Sequence, residues 1–190
     1  MATSSAKLSH PSDLDLLYPL TEFFDPGEPL PLVREEVGDS RMPEPHRSLL
    51  VHDSDMTSTL ESFHSEPLWL RTLEKRRQGT DLLRKVVLFG EHSGRPHELG
   101  AIRIDLAAFS TEARWVILEG NLPLGSILAR FKVPYTSSPR LFFRLDSDAR
   151  FEHQLELKAS ATLYGRQNVL SSPSGRPLAE VVEILPPVRE

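Results

Sequence analysis

The sequence predicts an α+β fold built around an antiparallel β-sheet. Long strand-like runs follow one another, short turns join them, and helical patterns are grouped in the middle of the chain. Short turns favour antiparallel pairing, because parallel strands need long crossover connections. The candidate strands cover residues 67–76, 81–90, 97–106, 141–146, 150–163, 164–172 and 178–185.

Three short helices are predicted between these strands. Asp55 or Ser54 can cap a helix over residues 56–63, and Ser110 can cap the helical run that follows it. A third helix covers 124–131, after a proline. The Ser-Gly-Arg-Pro sequence at 93–96 is a turn signal that predicts a hairpin between the second and third strands.

Composition limits the classes of function. The chain has 190 residues, a net charge of -5, no cysteine and no broad basic patch. These features exclude disulfides and thiolate metal sites, and argue against nucleic-acid binding. No apolar run is long enough for a membrane span, and there is no signal-peptide core, so a cytoplasmic protein is expected. No histidine spacing typical of a metal site and no cofactor motif occurs; His92 and His97 are interpreted as solvated residues flanking a turn.

The N-terminal part differs in composition from the rest. Residues 1–10 are polar and are expected to be disordered. Residues 11–47 combine many prolines with apolar side chains, so we expect an irregular arm packed on the domain. The domain itself is predicted over 48–190, with a monomer favoured.

Two strands carry a charged residue on an otherwise apolar face. Strand alternation puts Glu183 with Ala179, Val181 and Leu185, and puts Arg84 with Leu82, Val86 and Leu88. An unpaired buried carboxylate is costly, so a buried Glu183 requires a partner. Arg84 could supply it if the two side chains meet in one pocket. The alternative is an edge strand on which Glu183 contacts water.

Two further segments carry signals that are not decisive alone. Tyr164-Gly165-Arg166 is interpreted as a strand with a bulge at Gly165. The segment 121–128 is either a plain loop entering a helix, or a helix N-terminus where Gly125 lets an anion approach the backbone.

Five segments, in order along the chain, resemble the chorismate pyruvate-lyase family, which includes the bacterial enzymes that make 4-hydroxybenzoate and a divergent chorismate-lyase-like branch. The resemblance covers residues 48 to 187. The segments are Asp55-Met56-Thr57, Leu83–Leu88, Ser93–Pro96, Asn121–Leu128 and Ser174–Pro186.

This resemblance implies a single antiparallel sheet with helices on one side and a ligand pocket under helical flaps. It implies a lyase that removes pyruvate from chorismate to give 4-hydroxybenzoate without a metal or redox cofactor. Arg84 matches the arginine that binds a substrate carboxylate, and Glu183 the glutamate that faces the ligand; both are the implied catalytic residues. Desolvation on an apolar face would favour a protonated Glu183. Met56, Leu124 and Gly125 match positions that line or cover the pocket.

One position departs from the family pattern. The better-known enzymes have a second arginine after the Ala-Gly of the hairpin's return strand, where this chain has Ala101. Arg103 lies two residues further, on the same strand face, and is predicted to replace it as a substrate-binding residue.

Three functional hypotheses follow. The first is chorismate lyase. The second is an enzyme of the same fold acting on another substrate, such as a related aromatic carboxylate. The third is a non-catalytic small-molecule-binding domain, as in bacterial transcription regulators of this fold; those carry a helix-turn-helix, for which the proline-rich N-terminus offers no room.

Overall fold

A computed structural model describes residues 15–29, 31 and 34–188, and the predicted disorder of residues 1–10 lies outside them. The described part contains one seven-stranded antiparallel sheet with strand order β1-β5-β6-β7-β4-β3-β2, which confirms the predicted fold class. The strands are β1 (Arg34–Val37), β2 (Leu68–Gln78), β3 (Asp81–Gly90), β4 (Pro96–Asp105), β5 (Thr136–Asp146), β6 (Thr162–Ser171) and β7 (Pro177–Leu185).

Five short helices accompany the sheet in the described part of the chain. They are α1 (His46–Leu50), α2 (Met56–His64), α3 (Thr111–Glu119), α4 (Leu124–Arg130) and α5 (Ala149–Gln154). The predicted caps are confirmed: Asp55 accepts a hydrogen bond from the Ser58 amide, and Ser110 accepts one from Ala113. Among the described residues, no helix combines the length and apolar character needed to cross a membrane.

Five of the seven predicted strands match observed strands within two residues at each end, and the other two differ. β5 begins at Thr136, five residues before the prediction. The strand predicted over 150–163 is wrong, because its first part forms α5. The Asp148 side chain accepts hydrogen bonds from the Arg150 and Phe151 amides and so caps this helix. A local cap overrides the apolar pattern on which the prediction depended.

Both faces of the sheet are covered. One face carries α1 to α4 and the cavity described below. The other face is apolar and packs against α5 and the N-terminal segment, of which Leu17, Leu20 and Phe23 are buried. Burial on both sides explains why nine of the ten residues of β3 are buried.

Gly165 is required by a close contact rather than by a bulge. The glycine pairs in continuous register with Phe143 of β5 and with Ile184 of β7, so the predicted bulge is wrong. A Cβ atom at position 165 would lie 2.5 Å from the Phe143 ring and 2.6 Å from the Glu183 carbonyl oxygen. Only glycine leaves space for this ring to lie across β6.

His97 is buried, and the prediction that it is solvated is wrong, whereas His92 is exposed. The His97 Nε2 atom lies 3.0 Å from a Glu66 carboxylate oxygen. The same carboxylate accepts hydrogen bonds from the Ser93 hydroxyl and from the amides of Ser93 and His92. These bonds, led by those from Ser93, lower the pKa of Glu66 to about 2. The cluster therefore fixes the turn between β3 and β4 from within.

Candidate functional site

A cavity lies between the sheet and the N-terminal ends of α2 and α4. It holds about 690 Å³ of space, including its mouth. Five of the six residues predicted to form the site line it, namely Met56, Arg84, Leu124, Gly125 and Glu183, and Arg103 does not. The structure thus brings together residues that are up to 127 positions apart in the sequence; their role in binding stays a prediction.

Strand register sets the floor of the cavity. Two adjacent cross-strand rows point toward the helices, and each row contains one arginine. The first row runs across four strands as Arg84, Ile102, Val181 and Asn168. The second row runs through Val86, Gly100, Glu183 and Arg166.

Arg84 is a buried cation without an anionic partner among the described residues. Its side chain is 2% exposed, and its Nη1 donates to the Leu122 carbonyl oxygen at 3.1 Å. Its Nε has no hydrogen-bond partner, and no described carboxylate lies within 4.0 Å. Burial lowers the pKa of Arg84 to about 10, so the guanidinium is charged at neutral pH. A buried charge with unused donors is costly unless an anion binds it.

Arg166, not Arg84, is the direct partner of Glu183. The two residues face each other across β6 and β7, and Arg166 Nε donates to Glu183 Oε2 at 2.5 Å. Arg166 is completely buried. The premise that Glu183 stands in a purely apolar setting is therefore wrong, because the Arg166 guanidinium lies beside it.

Arg166 also anchors the segment that leads into α2. Its Nη1 donates to the carbonyl oxygens of Leu50 at 2.9 Å and His52 at 2.8 Å. These bonds tie the connection between α1 and α2 to the sheet. Asp55 and Met56 at the start of α2 are thereby held over the cavity.

Glu98 is a second buried carboxyl group on the cavity wall. The residue is 5% exposed, and no described residue forms a hydrogen bond with its Oε2. Its Oε1 lies 2.8 Å from the point where a Cβ atom on Gly100 would stand, so the carboxyl group folds over that glycine. Burial raises the pKa of Glu98 well above its usual range, and the nearby negative charge of Glu183 adds to this. Glu98 is thus a candidate to carry a proton at neutral pH.

Gly125 makes room for a carboxylate of the protein itself. One Asp55 carboxylate oxygen caps α2, and the other lies 2.4 Å from the position that a Gly125 Cβ would take. An alanine there would collide with Asp55. The start of α4 is therefore approached by an acidic side chain, which argues against the interpretation of 121–128 as an anion site.

Arg103 lies on the opposite face of the sheet, and the predicted location in the pocket is wrong. Arg84 pairs with Ile102, so the neighbours of Ile102 in sequence point away from the cavity. Arg103 instead contacts Asp81, with nitrogen–oxygen distances of 2.9 and 2.5 Å, and the Tyr18 hydroxyl. Strand alternation correctly put residues 101 and 103 on one face, but that face points away from the cavity.

Comparison with known proteins found similarity of fold but not of sequence. No family profile and no curated protein matches the sequence. Among solved structures, PhnF from Mycobacterium smegmatis is similar, with a TM-score of 0.57, 10% identity, and coverage of 72% of this chain and 65% of PhnF. The effector domain of PhnF, solved separately, gives a TM-score of 0.53 at 10% identity. The match covers 70% of this chain and 88% of that domain.

YydK from Bacillus subtilis, a possible transcriptional regulator, gives a TM-score of 0.51 at 12% identity, with coverage of 67% of this chain and 59% of YydK. This chain therefore spans less than two thirds of PhnF and of YydK. The shared architecture is consistent with the chorismate lyase-like fold that the resemblance predicted.

Proposed function

We propose that this chain is a small-molecule-binding domain whose cavity holds a monocarboxylate through Arg84. The observation that carries the proposal is a buried arginine with a free Nε and no carboxylate partner among the described residues. Guanidinium groups bind carboxylates through parallel charge-assisted hydrogen bonds. The fold shared with the effector domain of PhnF supports a binding role.

The charges of the cavity floor favour a ligand with one carboxylate rather than two. Arg166 and Glu183 form an ion pair and so offset each other. The raised pKa of Glu98 favours its neutral form. Arg84 is then the unpaired cation left for a ligand among the described residues of the floor. Once it pairs with one carboxylate, the other floor arginine, Arg166, is already taken by Glu183.

Apolar side chains define the rest of the ligand. Leu70, Val86, Ile102 and Val181 form much of the floor, and Met56 and Leu124 lie at the helix ends above it. Such a lining favours a compact, largely apolar body, such as an aromatic ring, attached to the carboxylate.

Calorimetric titration with matched ligands tests this proposal. We expect 4-hydroxybenzoate to bind at least about tenfold tighter than 4-hydroxybenzamide, since a hydrogen bond to a charged group contributes roughly 1.5–3 kcal/mol. The amide keeps the ring and hydroxyl and removes only the charge. Equal affinity for the two compounds, or no binding of either, would contradict a carboxylate site at Arg84.

A second candidate, chorismate lyase, is favoured by one observation. Glu98 offers a carboxyl group with a raised pKa beside Glu183, in the same cavity as a free arginine. Loss of the enolpyruvyl group and a ring proton from chorismate gives 4-hydroxybenzoate and pyruvate, and a positioned acid assists such a departure.

Incubation with chorismate separates the two candidates. For a binding domain we expect no pyruvate above the spontaneous background, even at high protein concentration. Pyruvate release that is proportional to protein concentration and persists after chelator treatment would establish the lyase instead. A Glu183→Gln variant would then be expected to lose about tenfold or more of its turnover.

A further inference from the structure

When Glu98 is ionised, the cavity offers a ligand more unpaired acceptors than unpaired donors among the described residues. Three cavity-lining side chains have a buried polar atom without a partner, and each residue is at most 5% exposed. Arg84 Nε is a donor, whereas Glu98 Oε2 and Asn168 Oδ1 are acceptors when the glutamate is ionised. A carboxylate ligand satisfies only the donor. The acceptors require donors on the same ligand.

The two glutamates stand side by side at the centre of the floor. Glu183 pairs with Gly100 across β7 and β4, and the Glu98 carboxyl group folds over this same glycine. Arg166 compensates one of these two carboxylates through its bond to Glu183. Ionisation of both therefore creates an excess negative charge at this point of the cavity.

We propose that the ligand is a zwitterion, whose carboxylate binds Arg84 and whose primary ammonium group binds Glu98 beside Glu183. This inference rests on the proposed function and adds the second pole of the ligand. A hydroxyl group has one proton to donate, and Glu183 alone could accept it. An ammonium group has three donors and a positive charge, which matches two adjacent carboxylates.

The two poles lie at separate points of the cavity floor, on neighbouring strands. Strands rise about 3.4 Å per residue and lie about 4.8 Å apart, so the Cα atoms of Arg84 and Gly100 are about 8 Å apart. Gly100 is one strand across and two residues along from Arg84. Ile102 and Val86 supply an apolar floor between the two poles.

A matched pair of ligands tests the second pole. We expect 4-(aminomethyl)benzoate to bind at least about tenfold tighter than 4-(hydroxymethyl)benzoate, which has nearly the same shape but no charge at that end. Glu98→Gln should remove this preference. Glu180→Gln is the matched control, because Glu180 lies on β7, pairs with Arg103 and Arg140 instead, and does not line the cavity.

Calorimetry in buffers of different ionisation enthalpy adds an independent measurement. Binding of the amine should release a proton as Glu98 ionises, and the Glu98→Gln variant should release none. Equal or weaker binding of the amine would overturn the inference and leave the carboxylate site intact. Failure of both benzoates to bind would instead contradict the proposed function. If Glu98→Gln does not fold, the comparison of the two ligands on the unmodified chain still decides.

Discussion

Arg84→Ala is expected to weaken binding of 4-hydroxybenzoate by about 30-fold or more, since removal of one partner from a buried charge pair costs roughly 2–5 kcal/mol. The fold should not suffer, because within the described part of the chain the arginine makes one hydrogen bond, to the Leu122 carbonyl, and carries an uncompensated buried charge. Arg84→Lys should restore only part of the affinity, since one ammonium cannot reproduce two parallel hydrogen bonds. Calorimetric titration of the three proteins measures this.

Arg103→Ala is the matched control. This arginine lies on the neighbouring strand but on the opposite face, is 42% exposed, and contacts Asp81 rather than the cavity. Its removal should leave the affinity for 4-hydroxybenzoate within about twofold and cost little stability, as is typical of exposed ion pairs. Unchanged affinity in Arg84→Ala would show that Arg84 serves the structure only. A loss in Arg103→Ala as large as that in Arg84→Ala would mean that the assignment of faces is wrong.

The antiparallel sheet could be predicted because its signals are local. Alternating side chains, turn residues and helix caps act over a few residues, and the Asp55 and Ser110 caps illustrate this. Where two local signals compete, as at Asp148, the cap outweighs the apolar pattern and a helix forms. Alternation along each strand also identified Arg84 and Glu183 as charged residues on apolar faces, and both line the cavity.

The rest of the site could not be predicted, because register between strands is not local. Alternation along a strand says which of its residues share a face, but not which face of the neighbouring strand lies on the same side of the sheet. The predicted location of Arg103 was wrong for this reason. Arg166 becomes the partner of Glu183 only through the pairing of β6 with β7. Glu98 alternates with Gly100, Ile102 and Ile104, as an acid on an apolar strand face, and this signal was not used. The structure adds that its carboxyl group folds over Gly100.

Arg166→Met is expected to destabilise the protein by roughly 3–5 kcal/mol, which is typical when one member of a buried ion pair is removed. The substitution leaves Glu183 charged and buried, and also frees the carbonyl oxygens of Leu50 and His52. Urea unfolding measures the loss. Hydrogen exchange should increase first in residues 51–55, because Arg166 holds the connection between α1 and α2 against the sheet.

The double variant Arg166→Met/Glu183→Leu separates the two parts of this loss. Replacement of a buried ion pair by apolar side chains of similar size is often neutral, so the double variant should regain most of the stability lost in Arg166→Met. The part that is not regained measures the bonds to the loop carbonyls, each worth roughly 1.5–3 kcal/mol when the donor is charged. If Arg166→Met unfolds at the same urea concentration as the parent, Arg166 anchors nothing. Its charge would then be available to a ligand, and the cavity would pair two carboxylates of the ligand instead of the one that Arg84 alone can pair.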